Sequence, residues 1–150
     1  MTSAPMAREP TMNPAAERGP ETSAVLPGVP ESARRARAVV TRALGQDHPA
    51  APAAAACVSE LAANAIVHTR SGQPGGMFTV SVHDGGDAVR ITVTDAGSTA
   101  RPRVRRPRPA SIRGRGLAIV AALSAAWGCE RTGGGQVTWC HIHARDTTAA

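Results

Sequence analysis

Glu60, Asn64 and His68 stand at steps of four in CVSELAANAIVHT, residues 57–69. Positions i, i+4 and i+8 stay roughly on one face of an α-helix, so a carboxylate, an amide and an imidazole would share one line. Such a line can do proton and phosphoryl chemistry. A carboxylate accepts a proton from an attacking hydroxyl. An amide oxygen one turn away is a neutral ligand for a hard cation such as Mg²⁺, which takes oxygen donors and keeps several waters. The plain alternative for Glu60 alone is a solvated surface carboxylate. Asn64 asks for a reason, because asparagine is mildly disfavoured inside helices.

Two other stretches carry chemistry of their own. VTDAGS puts Asp95 at a strand end, followed by Ala96 and Gly97. A carboxylate there can accept a hydrogen bond from an exocyclic amine, and Gly97 lets a flat ring approach the backbone. The same residues also suit an ordinary Asp-x-Gly turn. RGRGLAIV places Gly114 and Gly116 just before an apolar helix, where backbone N–H groups can hold phosphate. A tight entry to the helix would need the same glycines, and the GK[ST] of a P-loop is missing.

These residues need elements to position them. ETSAVLPGVP suits a short edge strand, and ESARRARAVVTRALG has helical spacing in Ala33, Ala36, Val40, Ala43 and Leu44, with Gly45 as the C-cap. A second helix is expected from about Pro52 to His68, with Pro52 in its first turn and Cys57, Leu61 and Ala65 as its apolar stripe. After the loop TRSGQPGG, MFTVSVHD and AVRITVTD alternate around the turn signal DGGD, which predicts an antiparallel hairpin ending at Asp95. Residues 96–113 read as irregular. GLAIVAALSAAWG reads as a third helix, nearly all apolar and so expected to be well buried. GGGQVTWCHIHA supplies a glycine turn and a last strand. Helices mixed with mainly antiparallel strands predict an α+β two-layer sandwich, its mixed, mainly antiparallel sheet covered by helices on one face. Residues 1–21 and 145–150 are expected to be a disordered tail and a frayed end flanking one domain over 22–144.

Composition narrows the classes. The chain has 150 residues, enough for one domain with its own core. Its net charge is +6, and all 17 basic residues are arginine. A basic balance permits nucleic-acid or membrane-surface binding without requiring it. Phe78, Trp127 and Trp139 are the only aromatics, too few for stacking on single-stranded nucleic acid. The arginines gather in one proline-rich loop rather than along a recognition helix, so neither nucleic acid nor membrane is an expected partner. Cys57, Cys129 and Cys140 are an odd number without CxxC spacing, and read as buried thiols in a reducing cytoplasm. His141 and His143 would share a strand face, but two ligands are too few for a structural zinc site.

Taken together and in order, these stretches resemble the ATP-binding fold of gyrase-type, chaperone, histidine-kinase and mismatch-repair ATPases, the GHKL or Bergerat superfamily. SELAANAIVHT looks like its N-box, TDAGS its first glycine box and GRGLAIV its second. The finer likeness is to small bacterial anti-sigma-factor serine/threonine kinases and their actinobacterial relatives, to which LPGVPESARRARAVV and WGCERTGGGQVTWCHI are also similar. It extends over roughly residues 22–144.

The resemblance implies a role for each matching position. Glu60 would be the general base for a serine or threonine hydroxyl on a partner protein. Asn64 would coordinate Mg²⁺ bridging the phosphates of ATP. Asp95 would bond the adenine amine and Gly97 would line the adenine pocket. Gly114, Gly116 and Leu117 would contact the phosphates through the backbone, with Arg113 and Arg115 adding charge. His68 would serve structure at the helix end. The sixteen residues between Gly97 and Gly114 would form an ATP lid, and from Ala96 to Cys129 the chain has arginines but no acidic residue. A basic lid beside a triphosphate suits phosphoryl transfer, which gains mainly from positioning and charge neutralisation. The implied partners are a sigma factor, an anti-sigma antagonist, or both, and relatives are often homodimers. The implied activity is partner switching driven by phosphorylation; the alternative is an ATP-binding interaction module with little or no phosphotransfer.

Overall fold

The computed structural model describes residues 19–97 and 112–144. The expected tails and the arginine-rich lid lie outside the described residues, except where they border strands or helices. Five strands and three helices follow in the order β1 (Glu21–Pro27), α1 (Ser32–Leu44), α2 (Ala51–His68), β2 (Met77–Asp84), β3 (Ala88–Asp95), α3 (Ile112–Leu123), β4 (Ala126–Thr132) and β5 (Gly135–His143). The sheet runs β1-β2-β3-β5-β4. All four pairings are antiparallel, so the sheet expected to be mixed has no parallel pair among the described strands.

Register decides what each strand buries. Val80 pairs with Val93, Val82 with Ile91, and Ile91 in turn with Cys140. Strand side chains alternate faces with period two, so these residues, with Leu26, Phe78, Val89 and Ile142, turn to one face and form the core. The helices cover that face: α1 lies on β1 and β2, α2 on β2, β3 and β5, and α3 on α2 and β4. In α2 the buried residues are Ala51, Ala54, Ala55, Cys57, Val58, Leu61, Ala62 and Ala65. Full burial of a side chain such as Leu61 stabilises the fold by about 1.5–3 kcal/mol, and Leu61→Ala would cost about 2–5 kcal/mol with the cavity it leaves. Cys57 and Cys140 are fully buried free thiols that bring α2 and β5 together. The hydrogen bond between the two thiols and their burial push the Cys140 thiol far up, so it stays neutral.

The opposite sheet face carries small polar residues, with Ser23 and Ser81 hydroxyls 2.8 Å apart. Trp139 lies on this face yet is buried, because the Arg90 guanidinium sits 5.6 Å above its ring and His141 lies 5.0 Å from it. Burial, with the charges of Arg90 and His143, lowers the His141 pKa.

Three expectations need correction. The third helix ends at Leu123 rather than near Gly128, and Ala126–Thr132 is a fifth strand. Pairing across the short Gly133–Gly134 turn to β5 captures this segment, overriding an apolar composition that periodicity alone assigns to a helix. The same helix is not well buried: Val120 is fully inside, but Ile119 and Leu123 are 38% and 41% exposed, because among the described elements α3 packs mainly on α2 and β4. Cys129 is exposed rather than buried, since it lies on the edge strand β4. No helix among the described residues is long and apolar enough to cross a membrane.

Candidate functional site

Helix α2 places its polar line along one border of the buried stripe. Glu60 and Asn64 are half-buried, and His68, its last residue, is exposed. The line thus runs outward from the core edge, with the carboxylate and the amide one turn apart. Both are oxygen donors of the kind Mg²⁺ takes. No cluster of three or more His, Cys, Asp or Glu side chains that could hold a metal by themselves occurs among the described residues. One amide and one carboxylate could supply oxygen donors to such a cation but not a full ligand set.

Asp95 ends β3 on the sheet face that α2 covers, and it is only 7% exposed. Its Oδ1 accepts the Gly97 N–H at 2.6 Å, which fixes the carboxylate relative to the following turn. Burial raises the Asp95 pKa, and the Gly97 bond opposes part of that rise. A buried carboxylate costs free energy that a ligand donor can offset. Thr138 is buried on the same face, next to Asp95 in the ladder, because Val93 pairs with Thr138 and Asp95 with Gln136. Its Oγ1 lies 3.6 Å from Cys129 Sγ.

Gly97 has φ 73°, a left-handed conformation that favours glycine. The turn it makes is pressed against the start of β5. A Cβ on Gly135 would lie 2.0 Å from the Asp95 carbonyl oxygen, closer than any side chain permits. Beyond this contact lies an open recess of about 220 Å³, lined by Arg70, Arg131, Gln136, Ala96, Gly97 and the Gly133–Gly135 turn. Among the described residues expected to form the site, Gly97 lines it and Glu60, Asn64 and Asp95 do not.

Asp95 thus stands at the end of the central strand β3 on the face that α2 covers, with Gly97 in the turn after it, while Glu60 and Asn64 lie half-buried on α2 itself. Helix α3 starts at Ile112, two residues before Gly114. Gly114 is then in the first helical turn, where amides lack intrahelical partners, while Gly116 and Leu117 lie beyond it. Leu117 is half-buried and packs against the core. Arg113 and Arg115 belong to the same first turns of α3. Sequence reasoning missed Thr138, Gly135 and Ser71. Thr138 is masked by the alternation around it, Gly135 by the neighbouring glycines, and Ser71 by a loop of turn-forming residues.

A five-stranded antiparallel sheet covered on one face by helices, with a buried aspartate at the end of its central strand, is the architecture of an α+β domain. The model of the histidine kinase-like ATPase domain matches residues 26–142, and the chain belongs to that family. The fold is also similar to a solved structure of the RsbU and RsbW domains of Rv1364c from Mycobacterium tuberculosis. That likeness has a TM-score of 0.60 at 22% identity and covers 83% of this chain. It covers 32% of the solved chain, so this chain spans about a third of that length. No curated protein matches the sequence.

Proposed function

We propose that this protein binds ATP with Mg²⁺ and acts as a serine/threonine protein kinase of anti-sigma-factor type, regulating transcription by partner switching with a sigma factor, an anti-sigma antagonist, or both. The observation that carries the proposal is the buried Asp95 at the end of β3, on the sheet face covered by the helix that bears the half-buried Glu60 and Asn64, in a chain of the histidine kinase-like ATPase family. The sequence likeness to anti-sigma-factor kinases and the RsbW-containing structural neighbour support the finer reading.

In this reading Asp95 accepts a hydrogen bond from the adenine amine while Gly97 leaves room for the ring. The Asn64 amide oxygen would hold the cation, which when bound supplies charge neutralisation on the phosphates. Glu60 takes the proton from the acceptor hydroxyl as that oxygen bonds to the γ-phosphorus and ADP leaves. General-base assistance of this kind contributes about 10²–10⁴-fold. The presence of Glu60 supports transfer over pure binding, since a binding module has no need of a base there.

Calorimetric titration with ATP, with and without Mg²⁺, tests the binding half. Magnesium-dependent binding is the expected result, and no binding at millimolar ATP would sink it. Transfer of labelled γ-phosphate to a co-purified partner tests the kinase half; tight ATP binding without transfer to any captured partner would leave an interaction module instead.

A further inference from the structure

We infer that Ser71 is a positioning residue for base recognition: it holds the Asp95–Gly97 turn at a fixed place relative to the N-box helix. The inference rests on the nucleotide reading above and adds a residue that reading does not contain.

The turn after β3 is tied down at two points. The Ala96 N–H donates to Ser71 Oγ at 2.9 Å. The Gly97 carbonyl accepts the Arg70 N–H at 2.8 Å. Both partners belong to one 3-10 turn, Arg70–Gly72, which follows α2 directly. That turn is in turn fastened to α2. Thr69 Oγ1 accepts the Ser71 N–H at 3.1 Å and donates to the Ala65 carbonyl at 2.6 Å. On its other side the Ser71 carbonyl lies against the backbone of Gly28, in the link between β1 and α1. A short chain of hydrogen bonds therefore runs from Ala65, beside Asn64, through Thr69 and Ser71 to Ala96, beside Asp95.

Ser71 has no exposed surface, so it cannot meet a ligand itself. Its hydroxyl acts through Asp95. The carboxylate is bonded to Gly97, the Gly97 and Ala96 backbone is bonded to residues 70 and 71, and those residues are bonded to the helix that carries Glu60 and Asn64. The strap thus sets the spacing between the base end and the phosphate end of the site. Without the hydroxyl, the Ala96 N–H loses its acceptor in a part-buried place, and the turn must move to satisfy it. The Arg70 to Gly97 bond is between backbones and remains, so the fold persists while the carboxylate loses its fixed aim.

The test compares ATP with inosine triphosphate, which carries a carbonyl where adenine carries its exocyclic amine. Dissociation constants for both are measured on the full chain, wild type, Asp95→Asn, Ser71→Ala and Thr69→Val, with melting temperatures alongside. The wild type is expected to prefer ATP by about tenfold or more, the size of one hydrogen bond to a charged group, and Asp95→Asn to erase the preference. Ser71→Ala and Thr69→Val are each expected to shrink the preference by about threefold or more, through weaker ATP binding at unchanged inosine triphosphate binding. If Ser71→Ala fails to fold, Thr69→Val, which keeps the shape of the side chain, decides. Equal weakening toward both nucleotides, or no change, in the strap variants while Asp95→Asn erases the preference would reduce Ser71 to a purely structural residue. A preference that survives Asp95→Asn, or is absent from the wild type, would overturn the adenine reading and this inference with it.

Discussion

The two ends of the candidate nucleotide site are built on different physical terms. At the base end, Asp95 is buried, its carboxylate is bonded to Gly97, and the Ala96 and Gly97 backbone is tied to the turn at the end of α2. The start of β5 presses on the same turn so closely that Gly135 has no room for a side chain. At the phosphate end, Glu60 and Asn64 are half-buried on a helix edge, and α3 turns Ile119 and Leu123 partly to solvent. Few buried apolar contacts mark an element of low local stability. In the proposed function this difference would divide the labour: the preorganised base end would select the ligand, and the phosphate end would leave its groups accessible for the reacting partners.

Removing the base should separate the two ends most sharply. Glu60→Ala is expected to lower phosphate transfer by about 10²–10⁴-fold while ATP affinity, read by calorimetry, stays near wild type; normal transfer by this variant would remove Glu60 as the base. Gly135→Ala attacks the preorganised end without touching a ligand group. Its Cβ must displace the Asp95 backbone, so thermal unfolding should report a loss of about 2 kcal/mol or more, accompanied by weaker ATP binding. Wild-type stability would mean that the β5 contact does not constrain the turn.

Asn64→Ala should cost about tenfold in ATP affinity when Mg²⁺ is present, the scale of one charge-assisted contact, and nothing when it is absent. Equal loss in both conditions would place Asn64 outside the cation site. Asp95→Asn has a smaller and opposite effect on the nucleotide-free protein. The folded pKa of Asp95 is raised, so its ionised form is disfavoured in the folded state. Its contribution to stability is then most favourable below the unfolded pKa and declines as pH rises through the folded one. The asparagine variant should melt slightly higher than wild type at neutral pH, and the gap should close in acid. The smallest effect is expected at α3, where Ile119→Ser should change stability by no more than about 0.5 kcal/mol; a large loss would show that this helix face is covered.

Much of this arrangement was legible from local pattern. The alternation in MFTVSVHD and AVRITVTD marks a hairpin, and the two strands pair as Thr79 with Thr94 through Asp84 with Val89. The spacing of Ala36 and Val40 marks α1, and Gly45 ends it with φ 85°. The polar line of α2 is visible because carboxylate and amide are unusual beside a stripe of alanines, cysteine and leucine. Local pattern failed where a neighbour decides. Ala126 and Trp127 fit an apolar helix until β5 pairs with them. Trp139 faces away from the core, yet Arg90, set beside it by strand register, covers it.

The sequence by itself determined the elements and the residue types with chemistry, because helix and strand periods and turn residues act over a few neighbours. It placed Glu60 and Asn64 on one helix face and Asp95 at a strand end. Only the tertiary structure decided that the helix bearing Glu60 and Asn64 covers the sheet face on which Asp95 lies, that Asp95 is buried, and that Ser71 and Gly135 hold the turn beside it. Those facts depend on pairings between segments far apart in the chain, such as Ala96 with Ser71 and Asp95 with Gln136. No local period records such a contact, because its energy exists only once the sheet and helices have packed.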